Sequence, residues 1–304
     1  MASTESGALH ALLASMTQRA IDSPDRDLTT TRSVMDELSA LTAEPTDVLY
    51  EEVTAGGRPA LWARPLNADP ARVILYLHGG AFMGNSMHSH RKLAAHLAKA
   101  ARSTALVLDF RLAPEHQFPA QLDDAAAAYR WLLAQGFTPQ SIATAGDSGG
   151  GGLATTTALR LRDENLPLPA AIVALSPWYD TTAGGDTLDT NAEHDPFLSR
   201  PLMKQLSAIY LGGASPDAPL ANALTADLTG LPPIYITAGS REGLLDDAQR
   251  FTNRATAAGV DVTLEVADDM LHVYPLMAGR APEADETIGR VGTWLTKHLA
   301  PQAG

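Results

Sequence analysis

The stretch that decides the fold reads Thr144-Ala145-Gly146-Asp147-Ser148-Gly149-Gly150-Gly151-Gly152. It places Ser148 in a G-x-S-x-G pattern directly after an apolar run at residues 142–145, where a strand is expected to turn sharply into a helix. Such a turn strains the serine and exposes its hydroxyl, and glycines at 146 and 150 let the strand and helix backbones approach closely. The same short pattern also occurs in ordinary glycine-rich turns. Other parts of the sequence are therefore needed to distinguish a nucleophilic serine from such a turn.

The composition is typical of a globular protein, with 304 residues of which 45% are hydrophobic and 19% charged. No apolar run approaches the ~20 residues of a membrane-spanning helix, and the N-terminal residues lack the basic-then-apolar layout of a secretory signal. The net charge of −13 argues against nucleic acid or an anionic membrane as a partner. The absence of cysteine excludes a disulfide scaffold and a thiol nucleophile. We therefore expect a cytoplasmic protein that does not insert into membranes.

The hydrophobic pattern changes along the chain from alternating to continuous. Alternating stretches at residues 48–53 and 60–63, separated by Gly56-Gly57, predict an antiparallel hairpin. The later apolar runs are continuous, as in strands of a parallel sheet that is covered on both faces. They lie at residues 73–77, 105–108, 142–145, 171–175, 234–236 and 262–266. Helical patterns alternate with them, at residues 89–102, 121–135, 149–163, 246–258 and 284–299. This alternation predicts an open, doubly wound α/β sheet.

Two segments stand outside this alternation. The apolar spacing in residues 1–45 predicts two amphipathic helices. Residues 181–229 are rich in Gly, Pro, Asp and Thr and contain one helical stretch at 200–210. We expect both segments to form a cap above the carboxyl edge of the sheet. Residues 46–180 and 230–304 would form the α/β core, and cap and core would make one structural unit. Apolar cap side chains either line a pocket there or only pack the cap helices together. They are Leu9, Leu12, Leu13, Met16, Phe197, Leu202, Met203, Leu206 and Tyr210.

Position relative to the strands selects the partners of Ser148. Of the nine histidines, His272 follows the last strand candidate and would project from the sheet edge at which α/β proteins build their sites. An acid that orients this histidine should follow the run at 234–236, where Glu242 comes first. Asp246 is the reserve candidate, because it falls in the first turn of the next helix, where a carboxylate favours the helix dipole without any catalytic role.

Backbone amides near Ser148 are candidates for binding a negatively charged oxygen. The segment His78-Gly79-Gly80-Ala81 directly follows the run at 73–77, and its glycines let the backbone approach a substrate oxygen. Gly149, at the start of the helix after Ser148, would supply a further amide. We expect His78 to hydrogen-bond the loop backbone rather than to act as a base, since polar groups in tight turns commonly satisfy the local backbone.

Several motifs together resemble the hormone-sensitive-lipase family of bacterial esterases, from about residue 45 to the C-terminus. They are His78-Gly79-Gly80-Ala81, Asp109-Phe110-Arg111-Leu112-Ala113-Pro114-Glu115-His116 with Phe118-Pro119-Ala120, and Gly146-Asp147-Ser148-Gly149-Gly150. Ser176-Pro177-Trp178, Asp195-Pro196-Phe197-Leu198 and residues 228–233 are similar to the branch that contains acetyl hydrolases and monoterpene lactone hydrolases. The resemblance implies an α/β-hydrolase fold, with a mostly parallel eight-stranded sheet flanked by helices and a helical cap.

The resemblance also implies roles for individual residues, in the chain order expected of this fold. Ser148 would be the nucleophile, His272 the base, Glu242 the acid, and the amides of Gly80, Ala81 and Gly149 the oxyanion hole, supported by His78, Gly79 and Asp147. The family usually has Asp-Pro-Leu where this chain has Glu242-Gly243-Leu244, so a longer side chain must reach from a shifted backbone. It usually has glycine at position 81 and alanine at position 149, and neither difference removes an N–H. Arg111 and Glu115 are expected to tie the loop beneath the site.

These residues predict a carboxylesterase, a serine hydrolase that acts through an acyl-enzyme on esters with short acyl chains or compact alcohols. A lactone hydrolase, or an amidase or deacetylase of N-acetyl groups, would use the same triad. A non-catalytic small-molecule binder on the same fold is a distant alternative. This mechanism needs no metal or organic cofactor. His88 and His90 have a metal-like spacing, but no third ligand is arranged near them, so no metal site is expected there. The helical pattern at 284–299 offers a surface for a homodimer.

Overall fold

The computed structural model describes residues 2–23, 25 and 27–299. Within these residues, one eight-stranded sheet has the strand order β1-β2-β4-β3-β5-β6-β7-β8. Its strands are β1 (Val48–Ala55), β2 (Arg58–Pro65), β3 (Val73–Leu77), β4 (Thr104–Leu108), β5 (Ile142–Asp147), β6 (Ala171–Leu175), β7 (Ile234–Gly239) and β8 (Val262–Ala267). The pairs β1–β2 and β2–β4 are antiparallel and the other neighbours are parallel, which confirms the predicted sheet.

Helices connect these strands and lie outside the sheet. They are α1 (Gly7–Asp22), α2 (Leu28–Asp36), α3 (Met87–Ala100), α4 (Ala120–Ala134), α5 (Gly149–Asp163), α6 (Thr187–Thr190), α7 (Arg200–Leu211), α8 (Leu245–Ala257) and α9 (Pro282–His298). The five helices predicted to alternate with the strands are confirmed to within two residues at each end, four between strands and α9 after the last one. The short helix α6 and a 3₁₀ turn at Ala223–Thr225 were not predicted, because such short elements show no measurable periodicity.

The core has one apolar cluster on each face of the sheet, as strand β3 shows. Leu75 and Leu77 pack with side chains of α4 and α5, whereas Ile74 and Tyr76 pack with side chains of α3 and α9. Successive side chains of a strand point to opposite faces, so a strand that is covered on both faces must be apolar throughout. This requirement explains the continuous apolar runs in the sequence.

The topology places the site at the carboxyl ends of β3 and β5. From β3 the chain passes first to β4 on one side and later to β5 on the other, so the connections leave these two strands in opposite directions. A crevice opens at such a switch point in an α/β sheet. The loop that begins at His78 follows β3, and Ser148 follows β5. Strands β7 and β8 bring the loops of Glu242 and His272 to the same edge.

Arg32 on α2 fastens the N-terminal helices to the core. Its Nε donates a 2.8 Å hydrogen bond to the carbonyl of Met83, and its guanidinium pairs with the carboxylate of Glu115 at 2.7 Å. Arg111 instead pairs with Asp124 at 2.7 Å. Among the described residues, no helix combines the length and the apolar character that crossing a bilayer demands. Residues 1, 24, 26 and 300–304, which fall in the predicted segments 1–45 and 230–304, lie outside the described residues.

Candidate active site

Ser148 sits on a strained turn between β5 and α5. Its φ is 52° and its ψ is −123°, a backbone conformation that side-chain-bearing residues rarely adopt. A Cβ at Gly146 would lie 2.4 Å from the carbonyl oxygen of Leu77, and one at Gly150 would lie 2.0 Å from the same oxygen. Both glycines are therefore required by the close packing of α5 against β5 and β3, which includes the approach of strand and helix that the sequence pattern predicted.

His272 connects Ser148 with Glu242. Its Nε2 lies 2.9 Å from Ser148 Oγ, and its Nδ1 lies 3.4 Å from Glu242 Oε1. The side chains of His272 and Glu242 are 2% and 0% exposed, so both groups interact in a medium of low polarity. The structure thus brings together the three residues that the chain order selected. The reserve acid, Asp246, does not share this contact, because its carboxylate pairs with Arg250 at 2.5 Å.

Glu242 is held by two further donors. Its Oε2 accepts 2.7 Å hydrogen bonds from the hydroxyl of Ser176 and from the backbone amide of Gly239. With Oε2 occupied, Oε1 is the oxygen that faces His272. No catalytic or supporting role was predicted for Ser176, although its place directly after β6, at the sheet edge where α/β proteins build their sites, is a signal that could have identified it.

The environment of His272 favours its charged form. Burial lowers the pKa of His272, but the hydrogen bond and the negative charge of Glu242 outweigh it, with further contributions from Asp195 and Asp147. The pKa therefore lies above the usual value for a histidine. An imidazole with this property accepts a proton readily, which is what a base beside a serine hydroxyl must do.

The backbone segments of Gly80 and Ala81 line the same cavity as Ser148, and Gly149 directly follows Ser148. Gly80 and Ala81 have φ values of 106° and 50°, and these conformations shape the loop after β3. A Cβ on Gly149 would lie only 3.5 Å from the Cα of Ala81, so the two amide-bearing segments are adjacent. Among the described residues, none of these three amides donates a hydrogen bond to another group. They are available to bind an oxyanion.

Asp147 joins the serine turn to the loop after β3. Its carboxylate accepts hydrogen bonds from the hydroxyl of Tyr76 at 2.8 Å and from the amide of Gly79 at 3.1 Å, and it lies 3.2 Å from Nε2 of His90. Burial raises the pKa of Asp147, but the charge and hydrogen bond of His90 and the bond from Tyr76 outweigh it and hold the pKa below its usual range. Asp147 therefore remains an anion that fixes both segments.

His78 has the structural contacts that its place in a glycine-rich turn predicted. Its Nδ1 donates a 2.8 Å hydrogen bond to the carbonyl of Gly79, and its ring stacks on Phe110 with the ring centroids 4.1 Å apart. Burial, aided by the nearby His90, lowers the pKa of His78 to about 3. His78 is therefore neutral near pH 7 and braces the loop.

A cavity of about 410 Å³ opens onto Ser148, and side chains of α1, α2 and α7 form much of its wall. Six apolar side chains predicted in the cap line it: Leu13, Met16, Phe197, Leu202, Met203 and Leu206. The other three do not. Leu9 and Leu12 pack into the core, and Tyr210 stacks on Phe82 with ring centroids 4.0 Å apart. Helical spacing identified the buried face of each helix but not which part of that face meets the cavity.

The two histidines with a metal-like spacing point to different places. His88 is 58% exposed and lies 3.8 Å from Glu52, whereas His90 is buried against Asp147. Among residues 2–23, 25 and 27–299, no cluster of three or more His, Asp and Glu side chains has the arrangement of a metal site.

Comparison with known proteins agrees with this geometry. A family profile described as alpha/beta hydrolase fold matches residues 74–276. An acetyl-hydrolase of Streptomyces hygroscopicus is 42% identical over 80% of this chain and 81% of its own length. An esterase of Acinetobacter venetianus is 32% identical over 87% of this chain and 88% of its own length. A crystal structure of an esterase from the bacterial hormone-sensitive lipase family is 42% identical, covers 99% of this chain and 100% of its own, and superposes with a TM-score of 0.92. This chain belongs to the α/β-hydrolase family, among the esterases of the bacterial hormone-sensitive lipase type.

Proposed function

We propose that Ser148, His272 and Glu242 form the catalytic triad with which this esterase hydrolyses carboxylic esters. The observation that carries the proposal is the 2.9 Å contact between Ser148 Oγ and His272 Nε2 at the base of the cavity. As Ser148 Oγ attacks the ester carbonyl, its proton passes to His272 Nε2. Glu242 Oε1 holds Nδ1 and stabilises the imidazolium that forms.

The amides of Gly80, Ala81 and Gly149 bind the oxyanion of the tetrahedral intermediate. Their positions around Ser148 and their lack of other partners among the described residues support this role. When the intermediate collapses, His272 gives its proton to the departing alcohol and leaves an acyl-enzyme on Ser148. His272 then takes a proton from water as its oxygen attacks the acyl group. The second tetrahedral intermediate breaks its bond to Ser148 Oγ, which takes the proton back from His272 as the carboxylic acid leaves.

The walls of the cavity support uncharged, apolar esters with a short acyl chain or a compact alcohol as substrates. Among the described residues, Asp147 and His272 are the only ionisable side chains in the lining, and both belong to the site itself. A charged substrate would lose its hydration without gaining a partner there. We assign the cap to α1 and α2 in residues 1–45 and to the insertion at 181–229, because side chains from both segments wall the cavity. The homodimer surface at 284–299 and the cytoplasmic location stay predictions from the sequence.

The test is a series of nitrophenyl esters from acetate to long acyl chains, together with a lactone and an anilide. We expect the highest kcat/KM among the short esters, and Ser148→Ala should lower kcat by about 10³-fold or more. The control is Ser215→Ala, an exposed serine of the insertion outside the cavity. Near-parent turnover by Ser148→Ala would refute the mechanism. A higher kcat/KM for the lactone or the anilide than for the esters would mean that the enzyme is a lactone hydrolase or an amidase.

A further inference from the structure

The loop between β7 and α8, which carries Glu242, is held by the cap insertion. The side-chain amide of Asn191 donates hydrogen bonds to the carbonyls of Ser240 at 3.1 Å and Glu242 at 2.9 Å. The hydroxyl of Thr187 donates a 2.8 Å bond to the carbonyl of Gly243. Loops that project from a sheet edge are otherwise the most mobile parts of such a fold. These bonds from α6 and the residue after it restrain the backbone on both sides of the proposed acid.

The carboxylate of Asp195 contacts both the loop of Glu242 and the wall of the cavity. Its carboxylate is buried, with a residue exposure of 5%. One oxygen, Oδ2, accepts a 2.8 Å hydrogen bond from the amide of Gly243, the residue after Glu242. The other, Oδ1, accepts 2.9 Å bonds from the amides of Phe197 and Leu198, whose side chains line the cavity. A single carboxylate therefore joins the acid's loop to the cavity wall.

This connection depends on the backbone N–H at position 243. A proline at this position would have no N–H to donate. Gly243 supplies the N–H that Asp195 accepts. The site around it is tight, because a Cβ on Gly243 would lie 3.2 Å from side-chain atoms of both Leu188 and Leu198. The glycine therefore permits a close contact between the acid's loop and the insertion as well as the hydrogen bond.

We propose that Asp195 is a positioning residue that fastens the loop of Glu242 to the wall of the substrate cavity, so that the geometry of the triad and the shape of the pocket are set together. The inference rests on the proposed triad. It assigns Asp195 no contact with substrate, because the carboxylate acts through backbone amides on the proposed acid and on two wall residues.

Asp195 also contributes negative charge near the base. The acidic groups that act on His272 are Glu242, Asp195 and Asp147, and each of them raises the pKa of His272. Replacing Asp195 by asparagine removes one charge and places an NH₂ group against backbone amides that need an acceptor. At least one of the three hydrogen bonds must then be lost, and a buried amide left without a partner is costly.

The test compares Asp195→Asn with Asp189→Asn. Asp189 lies on the same insertion but is 68% exposed, and its carboxylate pairs with Arg200. For Asp195→Asn we expect kcat to fall at least about fivefold, because a buried hydrogen bond to a charged group is lost. The acidic limb of the pH profile of kcat/KM should move to lower pH, since a less basic imidazole stays neutral further into the acid range. The ratio of KM values for acetate and longer acyl esters should also change. Asp189→Asn should alter none of these.

A second pair of variants keeps the test decisive if Asp195→Asn folds poorly. Gly243→Pro removes the N–H and keeps the charge of Asp195, whereas Gly243→Ala keeps both. We expect kcat to fall further in the proline variant than in the alanine variant. An unmoved acidic limb in folded Asp195→Asn, or equal losses in the two Gly243 variants, would overturn the role of Asp195. The Ser148→Ala variant in the same series tests the triad separately, so the two proposals can fail independently.

Discussion

Ser176 donates a 2.7 Å hydrogen bond from its Oγ to Oε2 of Glu242. The same hydroxyl accepts a 3.0 Å bond from the amide of Val273, the residue after His272. Ser176 follows β6, while Glu242 and His272 follow β7 and β8. One buried hydroxyl therefore joins the loops of three adjacent strands and fixes Glu242 relative to the loop of His272.

The first prediction concerns this hydroxyl. Ser176→Ala leaves the amide of Val273 without its acceptor and removes one of the donors to Oε2 of Glu242, so we expect kcat to fall about tenfold. Ser207→Ala is the matched control, because Ser207 on α7 is also a buried serine but donates its hydrogen bond to the carbonyl of Thr181. Steady-state kinetics on a nitrophenyl ester, with thermal unfolding of both variants, make the comparison. An equal loss of kcat in both variants would contradict a specific role for Ser176.

The second prediction separates the two candidate acids. Glu242→Ala should lower kcat by about 10³-fold, since loss of the triad acid leaves the imidazole without its orienting partner. Asp246→Ala should have a mild effect, because it breaks a pair with Arg250 and leaves His272 untouched. Turnover of a short ester by the purified variants decides the matter. If Asp246→Ala lost most of its kcat while Glu242→Ala kept it, Asp246 rather than Glu242 would be the acid.

The third prediction is the pH dependence of kcat/KM. The proposed base, His272, acts in its neutral form, and its raised pKa means that activity is lost as the pH falls through a value above the usual pKa of a histidine. In Glu242→Gln the largest favourable influence on the imidazolium is gone, so the midpoint for the residual activity should move to lower pH. Rates are best read at a wavelength where nitrophenol and its anion absorb equally. Activity that persists unchanged to about pH 4, well below a histidine pKa, would exclude His272 as the base.

The fourth prediction uses two glycines of the oxyanion region. In Gly149→Ala the N–H remains and the new Cβ meets Phe82 and Ala81 at 3.4–3.5 Å, an ordinary contact, so activity and stability should be retained. In Gly79→Ala the new Cβ would lie 2.2 Å from Oδ2 of Asp147, which is buried and held by several partners. We expect Gly79→Ala to lower the free energy of unfolding by about 1–3 kcal/mol, measured by urea denaturation. Equal behaviour of the two variants would show that the loop is not fixed by Asp147.

Much of this fold is readable from the sequence because its signals are local. The apolar runs correspond to strands with two covered faces, and the glycines around Ser148 correspond to close backbone approaches. The order of Ser148, Glu242 and His272 along the chain follows from the order of the strands that carry them. The residues that line the cavity were harder to predict. Leu9 and Tyr210 have the same helical spacing as the side chains that form its wall, but they pack elsewhere.

The sequence by itself determined the sheet, the strained serine turn and the strand ends at which partners had to be sought, because each depends on residues that are contiguous in the chain. Only the tertiary structure decided that Glu242 rather than Asp246 faces His272, and that Ser176 and Asp195 hold it there. Those contacts join loops separated by dozens of residues. Their distances of about 3 Å, the range of a hydrogen bond, depend on how strands, loops and cap pack together, which no local pattern records.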